Sequence, residues 1–108
     1  MDHDIYARIS LKKTEDGGRT ATIPAIRDYR CTIFFQNEPG FEEHGYDCRL
    51  LLTQIGRDIA PGETLERVPA KFLCPETVLP HLRIGTSFQL WEGKIIGYGE
   101  VLSIEVPP

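Results

Sequence analysis

"FQLWEGKIIGYGEVLSIEV", residues 88–106, decides the fold. Two β-rich arms meet at Glu92-Gly93, a pair suited to a tight turn, so the stretch predicts a hairpin. On its second arm Ile95, Gly97, Gly99 and Val101 form one alternating set, and Leu102, Ile104 and Val106 form the opposite one. Glycine weakens a flat strand, yet two stand here one residue apart. A strand that bends sharply, or that another backbone approaches closely, has a use for them. The expectation is a barrel whose last strand curls to meet its first, with a bulge near the glycines that turns both apolar sets inward.

The rest of the chain supplies the other strands. Ile5, Ala7, Ile9 and Leu11 alternate with Tyr6, Arg8, Ser10 and Lys12, the period-two pattern of a strand with one buried face. "KTEDGGR" (13–19) then supplies a Gly-Gly turn. Strand signals recur in "RCTIFFQ" (30–36), with Cys31, Ile33 and Phe35 on one side, and in "YDCRLLL" (46–52), with Tyr46, Cys48, Leu50 and Leu52 on one side. Residues 37–45 between them are a polar loop with Pro39-Gly40 at its turn. Alternation resumes after the Pro-Gly turn at 61–62 with Val68, Ala70 and Phe72, where Pro69 demotes the run to an edge or bulged strand. "CPETVLPHLRIG" (74–85) has room for at most one helical turn between its prolines and is read as a connection. Together these signals predict an all-β fold, a small six- to seven-stranded antiparallel β-barrel filling residues 1–108 as one domain.

Composition narrows the function classes. The chain has 108 residues, 41% hydrophobic, and a net charge of −4, which argues against a general polyanion binder. No apolar run approaches the ~18 residues that would span a bilayer. "MDHDIYARIS" lacks the basic and apolar regions of a signal peptide, so a cytoplasmic location without membrane contact is expected. Cys31, Cys48 and Cys74 form no C-x-x-C pair; they predict neither a disulfide framework nor a zinc site and are read as buried thiols. Six of the cations, Arg8, Lys12, Lys13, Arg19, Arg27 and Arg30, fall in the first thirty residues, so any basic patch is expected mainly from the N-terminal third.

Candidate chemistry is sparse. "EEHGYDC" (42–48) crowds Glu42, Glu43, His44, Asp47 and Cys48, but a metal needs three or four convergent ligands. His44 belongs to a predicted loop and Cys48 to an inward face, so the two should point apart. The segment reads as an acidic surface loop, with no metal or cofactor implied. No recognisable Ser-His-Asp or Cys-His arrangement appears, and the phosphate-cradling G-x-x-x-x-G-K-[ST] is missing, so the chain reads as a non-enzymatic protein without GTPase activity. Trp91 and Tyr98 carry large apolar area with a polar handle, the character of interface residues; the other reading is that both cap the barrel core.

"DIYARISLKKTEDGGRTATIPAIRDYRCTIFF" (4–35) followed by "GTSFQLWEGKIIGYGEVLSI" (85–104) resembles the third, C-terminal β-barrel domain of elongation factor Tu, here as a free-standing barrel. Gly17, Gly18 and Arg19 match that family's Gly-Gly-Arg turn, Tyr29 and Arg30 its Tyr-Arg, and Glu92, Gly93 and Lys94 a shortened form of its closing turn. Thr20-Ala21-Thr22 replaces the family's His-Thr-Pro, the segment to Tyr29 is longer, and Cys31-Thr32 stands where the family has Pro-Gln. In that family the domain packs on the nucleotide-binding domain, contacts the T stem of aminoacyl-tRNA and touches the exchange factor.

The resemblance implies that Arg19, Arg27, Arg30 and Lys94 gather into a small basic area, suited to carboxylate or phosphate. Partner- or RNA-binding candidates are thus Arg19, Tyr29, Arg30, Trp91, Lys94 and Tyr98. The first expectation is a protein-binding module that imitates the factor's third domain, of an immunity, antitoxin or decoy type. The alternative is an RNA-binding accessory of translation, in which only Tyr29 is placed to stack a base. A homodimer through the strand weakened by Pro69 is a further possibility.

Overall fold

A computed structural model describes residues 3–36 and 44–105. Its strands are β1 (Ile5–Leu11), β2 (Tyr29–Phe35), β3 (Tyr46–Leu50), β4 (Thr64–Phe72), β5 (Ser87–Trp91) and β6 (Ile95–Ile104). They close a barrel in the order β1-β4-β3-β2-β5-β6, antiparallel at every seam. The all-β barrel expected from the alternating runs is the fold.

The alternation explains the core. Ile5, Ala7 and Ile9 of β1 are fully buried, as are Ile33, Leu50, Val68, Ala70 and Leu90 on the inward faces of their strands. Phe35 lies among three rings, with centroids 6.0 Å to Phe88, 6.1 Å to Phe72 and 5.9 Å to Tyr46. Such offset and edge contacts add to the apolar area that each ring removes from water. Ile23 and Ile59 join in an isolated antiparallel bridge, which ties the long β1–β2 connection down onto the barrel and buries both side chains.

β6 answers the question its glycines raise. Gly97 packs so close to β1 that a Cβ there would stand 2.6 Å from the Ser10 carbonyl, and a Cβ on Gly99 would overlap the ring of its register partner Phe88. The register shifts twice, between Leu90 and Trp91 against β5 and between Tyr6 and Ala7 against β1. The bulges therefore flank the glycines instead of falling on them. The first adds Ile96 to the core, and the second re-aims Ile104, which packs against it. Val101 of the first set is thus buried and Ile104 of the second packs against the core, whereas Ile95 and Leu102 are only partly buried; Val106 lies outside the described residues.

Several expectations need correction. Of the two readings of the Pro69 run, edge or bulged strand, the edge is overturned, because β4 pairs with β1 and β3, and the bulge holds, because the β1–β4 register shifts close to Pro69. Its ring is tolerated because the Pro69 carbonyl accepts from Leu51 N–H, so its missing donor faces the point where β3 has already left the ladder. A one-residue register shift in β1–β4 lies next to it. Leu52 does not extend β3: a single turn, α1 (Leu52–Ile55), begins there and ends at Gly56 with φ 62°. Leu51 and Leu52 are both buried, Leu51 just past the end of β3 and Leu52 in the first position of α1.

The proline-bracketed connection holds more than the one helical turn expected of it: α2 (Pro75–Val78) runs directly into a 3-10 turn at Leu79–His81, which accommodates Pro80 in its first turn. Cys74, expected to be buried, is exposed, because Pro75 starts α2 and takes the chain off the strand just before it.

Candidate functional site

The sequence candidates separate into three places. Arg19 and Tyr29 meet Glu92, a residue of the closing turn. Arg19 Nη1 donates to Glu92 Oε1 at 2.5 Å and to Tyr29 Oη at 3.3 Å, and Arg19 Nε donates to the Ala21 carbonyl at 3.1 Å. Tyr29 Oη also donates to Glu92 Oε1, and the Arg19 guanidinium lies 5.4 Å from the Tyr29 ring centroid. The Gly-Gly-Arg turn and the β5–β6 turn are thereby latched together. Glu92 satisfies both residues, so the latch is an internal support rather than an open cation.

Arg30 goes elsewhere. Tyr29 packs against the core while Arg30, the next residue on β2, projects from the outer face and donates from Nη2 to Asp47 Oδ2 at 2.9 Å. That contact holds the guanidinium's pKa above its ordinary value. Two of the four cations expected to gather are engaged by different carboxylates, Arg19 by Glu92 and Arg30 by Asp47. Arg19 is committed to Glu92, Lys94 is exposed in the β5–β6 turn and Arg27 is exposed on the β1–β2 connection. The N-terminal third is not the main source of cations around Arg30 either, since its register partner is Arg49.

Trp91 and Tyr98 stand on the outer face of adjacent strands, 41% and 44% exposed, which removes the reading that they cap the core. Gln89, two residues before Trp91, is the register partner of both Tyr98 on β6 and Phe34 on β2. Trp91 is therefore diagonal to Phe34, within reach for rings, while on the β6 side the bulge at Ile96 adds a residue between Trp91's partner Ile95 and Tyr98. Phe34 and Trp91 touch edge to face at 6.3 Å. Phe34 is not among the sequence candidates, although its place in "TIFFQ", alternating with inward Ile33 and Phe35, marks it as outward. The result is an aromatic band over β2, β5 and β6.

The remaining chemistry is quiet. Cys48 is buried inside the barrel and His44 is exposed, 6.5 Å from the Tyr46 ring; Glu42 and Glu43 lie outside the described residues. Among the described residues no three His, Cys, Asp or Glu side chains are grouped to hold a metal ion. Burial, reinforced by Asp47, pushes the Cys31 thiol up to about 12, and burial pushes Cys48 well above its usual range. Both remain protonated at neutral pH and are poor nucleophiles. No helix among the described residues is long and apolar enough to cross a membrane. The chain matches no protein-family model and no curated protein.

Proposed function

We propose that this barrel is a non-enzymatic protein-binding module that works through the outer band of Phe34, Trp91 and Tyr98. One observation carries this reading: two large aromatic side chains stand about two-fifths exposed on neighbouring strands of a closed barrel, where neither the core nor a strand edge accounts for them. Aromatic residues of this kind anchor protein interfaces. The likeness of residues 4–35 and 85–104 to the third domain of elongation factor Tu gives the reading its finer form. In that form, a cytoplasmic protein imitates the domain, as a decoy or an immunity-type factor, and engages a partner of the translation factor.

The competing RNA reading loses support from the latch. Arg19 and Tyr29, its principal phosphate and stacking candidates, are both turned onto Glu92. Capture of partners by the tagged protein from its own cytosol, beside a Trp91→Ala/Tyr98→Ala variant, tests the proposal. A salt-resistant protein retained by the parent and lost by the variant is the expected result. Material that is mostly RNA and disappears at high salt would overturn it.

A further inference from the structure

Three cations form a row across the outside of the barrel. Arg30 on β2 is the register partner of Arg49 on β3, and Arg49 is the register partner of Lys71 on β4. All three are exposed, and their neighbours Cys31, Cys48, Leu50, Ala70 and Phe72 are buried, so the pleat sends the three side chains out together. Adjacent strands lie about 4.8 Å apart, which sets the row's backbone positions within about 10 Å. That span is about one Debye length at moderate salt, so the charges feel one another.

Such a row works against the fold, because like charges directly opposite in a sheet repel. Asp47 offsets part of this by pairing with Arg30, whereas neither Arg49 nor Lys71 forms an ion pair with another described residue. Outward cations on sheets commonly serve to blunt an exposed edge, and this barrel has none to protect. The row borders an open depression lined also by Leu73, which is 67% exposed.

We propose that the Arg30–Arg49–Lys71 row is a second binding site, which takes a carboxylate-bearing protein segment with an apolar residue against Leu73. Carboxylate is favoured over nucleic acid by what surrounds the row. Phe72 is buried, so no exposed ring lines the depression to stack a base. Asp47 stands beside the row, paired with Arg30, and the chain's net charge of −4 opposes approach of a long polyanion. Leu73 gives an apolar side chain a surface that phosphate would not use. The aromatic band uses different side chains, so the two proposals fail separately.

The test titrates the full chain with a labelled peptide of alternating Glu and Leu, with an oligouridylate of similar length, and with inorganic phosphate. Parent, Arg49→Glu, Lys71→Glu and Trp91→Ala proteins are compared. The expected result is peptide binding that weakens roughly tenfold or more in either charge reversal, corresponding to about 1.4 kcal/mol, with Trp91→Ala unchanged. Arg49→Glu should also raise the Tm by roughly 2–5 °C, because a carboxylate would then stand between two cations; this shows that the variant folds. An unchanged or lower Tm removes the repulsion on which the inference stands. Absent peptide binding, or peptide binding indifferent to Arg49→Glu, overturns the site. Tighter, Arg49-dependent binding of oligouridylate makes it a nucleic-acid site, and phosphate binding as tightly as the peptide makes it a small-anion site; either outcome overturns the proposal.

Discussion

The ring of Phe88 fills the space in which Gly99 would carry a side chain. The two residues are register partners on β5 and β6, and Phe88 is in turn held against Phe35 in the core. Gly99→Ala is therefore an overpacking change at a ring that has no solvent to move into. A loss of about 1–3 kcal/mol in unfolding free energy is expected, read by denaturant titration, with partial recovery in the Gly99→Ala/Phe88→Leu double variant. A Gly99→Ala protein as stable as the parent would show that the ring can shift at little cost.

Gly97 makes a different prediction, because its close neighbour is the backbone carbonyl of Ser10 rather than a ring. No side-chain rotation relieves that contact. Gly97→Ala should strain the β1–β6 seam, and no substitution at Phe88 should rescue it. Amide exchange in β1 and β6, accelerated relative to β2 and β3, is the expected signature.

The Arg19–Glu92 latch joins two turns, and Glu92 is about half exposed, so solvent screens the pair. Arg19→Ala should cost at most about 1 kcal/mol and less at high salt. If Arg19 instead served RNA, the same variant would reduce RNA retention while leaving stability almost unchanged.

Cysteine behaviour follows from burial. Cys74 should react with a thiol reagent in the folded protein, while Cys31 and Cys48 should react only on unfolding. Because the folded-state pKa of Cys31 is raised from 9.0 to about 12, the native protein keeps a proton that the unfolded chain releases. The associated stability is fully present below pH 9 and declines as pH rises toward 12. Cys31→Ala should flatten the alkaline fall in stability relative to the parent; an unchanged slope would place Cys31 in contact with water.

What the chain discloses by itself is local. The period-two runs of β1 and β2 and the paired glycines of β6 reveal strands, inward faces and barrel curvature, because each signal lies within a few neighbouring residues. Register is not local. Arg19 meets Glu92 across 73 positions of sequence, and Arg30, Arg49 and Lys71 align only once β3 lies between β2 and β4. Alternation could mark Arg49 and Lys71 as outward, yet nothing short of the strand order places them side by side. The same missing order made Pro69 look like an edge. Leu52 differs for another reason: a continuous Leu50-Leu51-Leu52 run reads as strand by composition, while the turn that starts at Leu52 is closed by Gly56 in the left-handed region, four residues further on.

Whether the outer aromatic band binds protein is decided by the capture experiment with the Trp91→Ala/Tyr98→Ala variant, quantifying protein and RNA side by side at low and high salt. A protein should stay bound to the parent at high salt and be lost from the variant. Equal capture by parent and variant, or an eluate of salt-sensitive RNA alone, would contradict binding through the band.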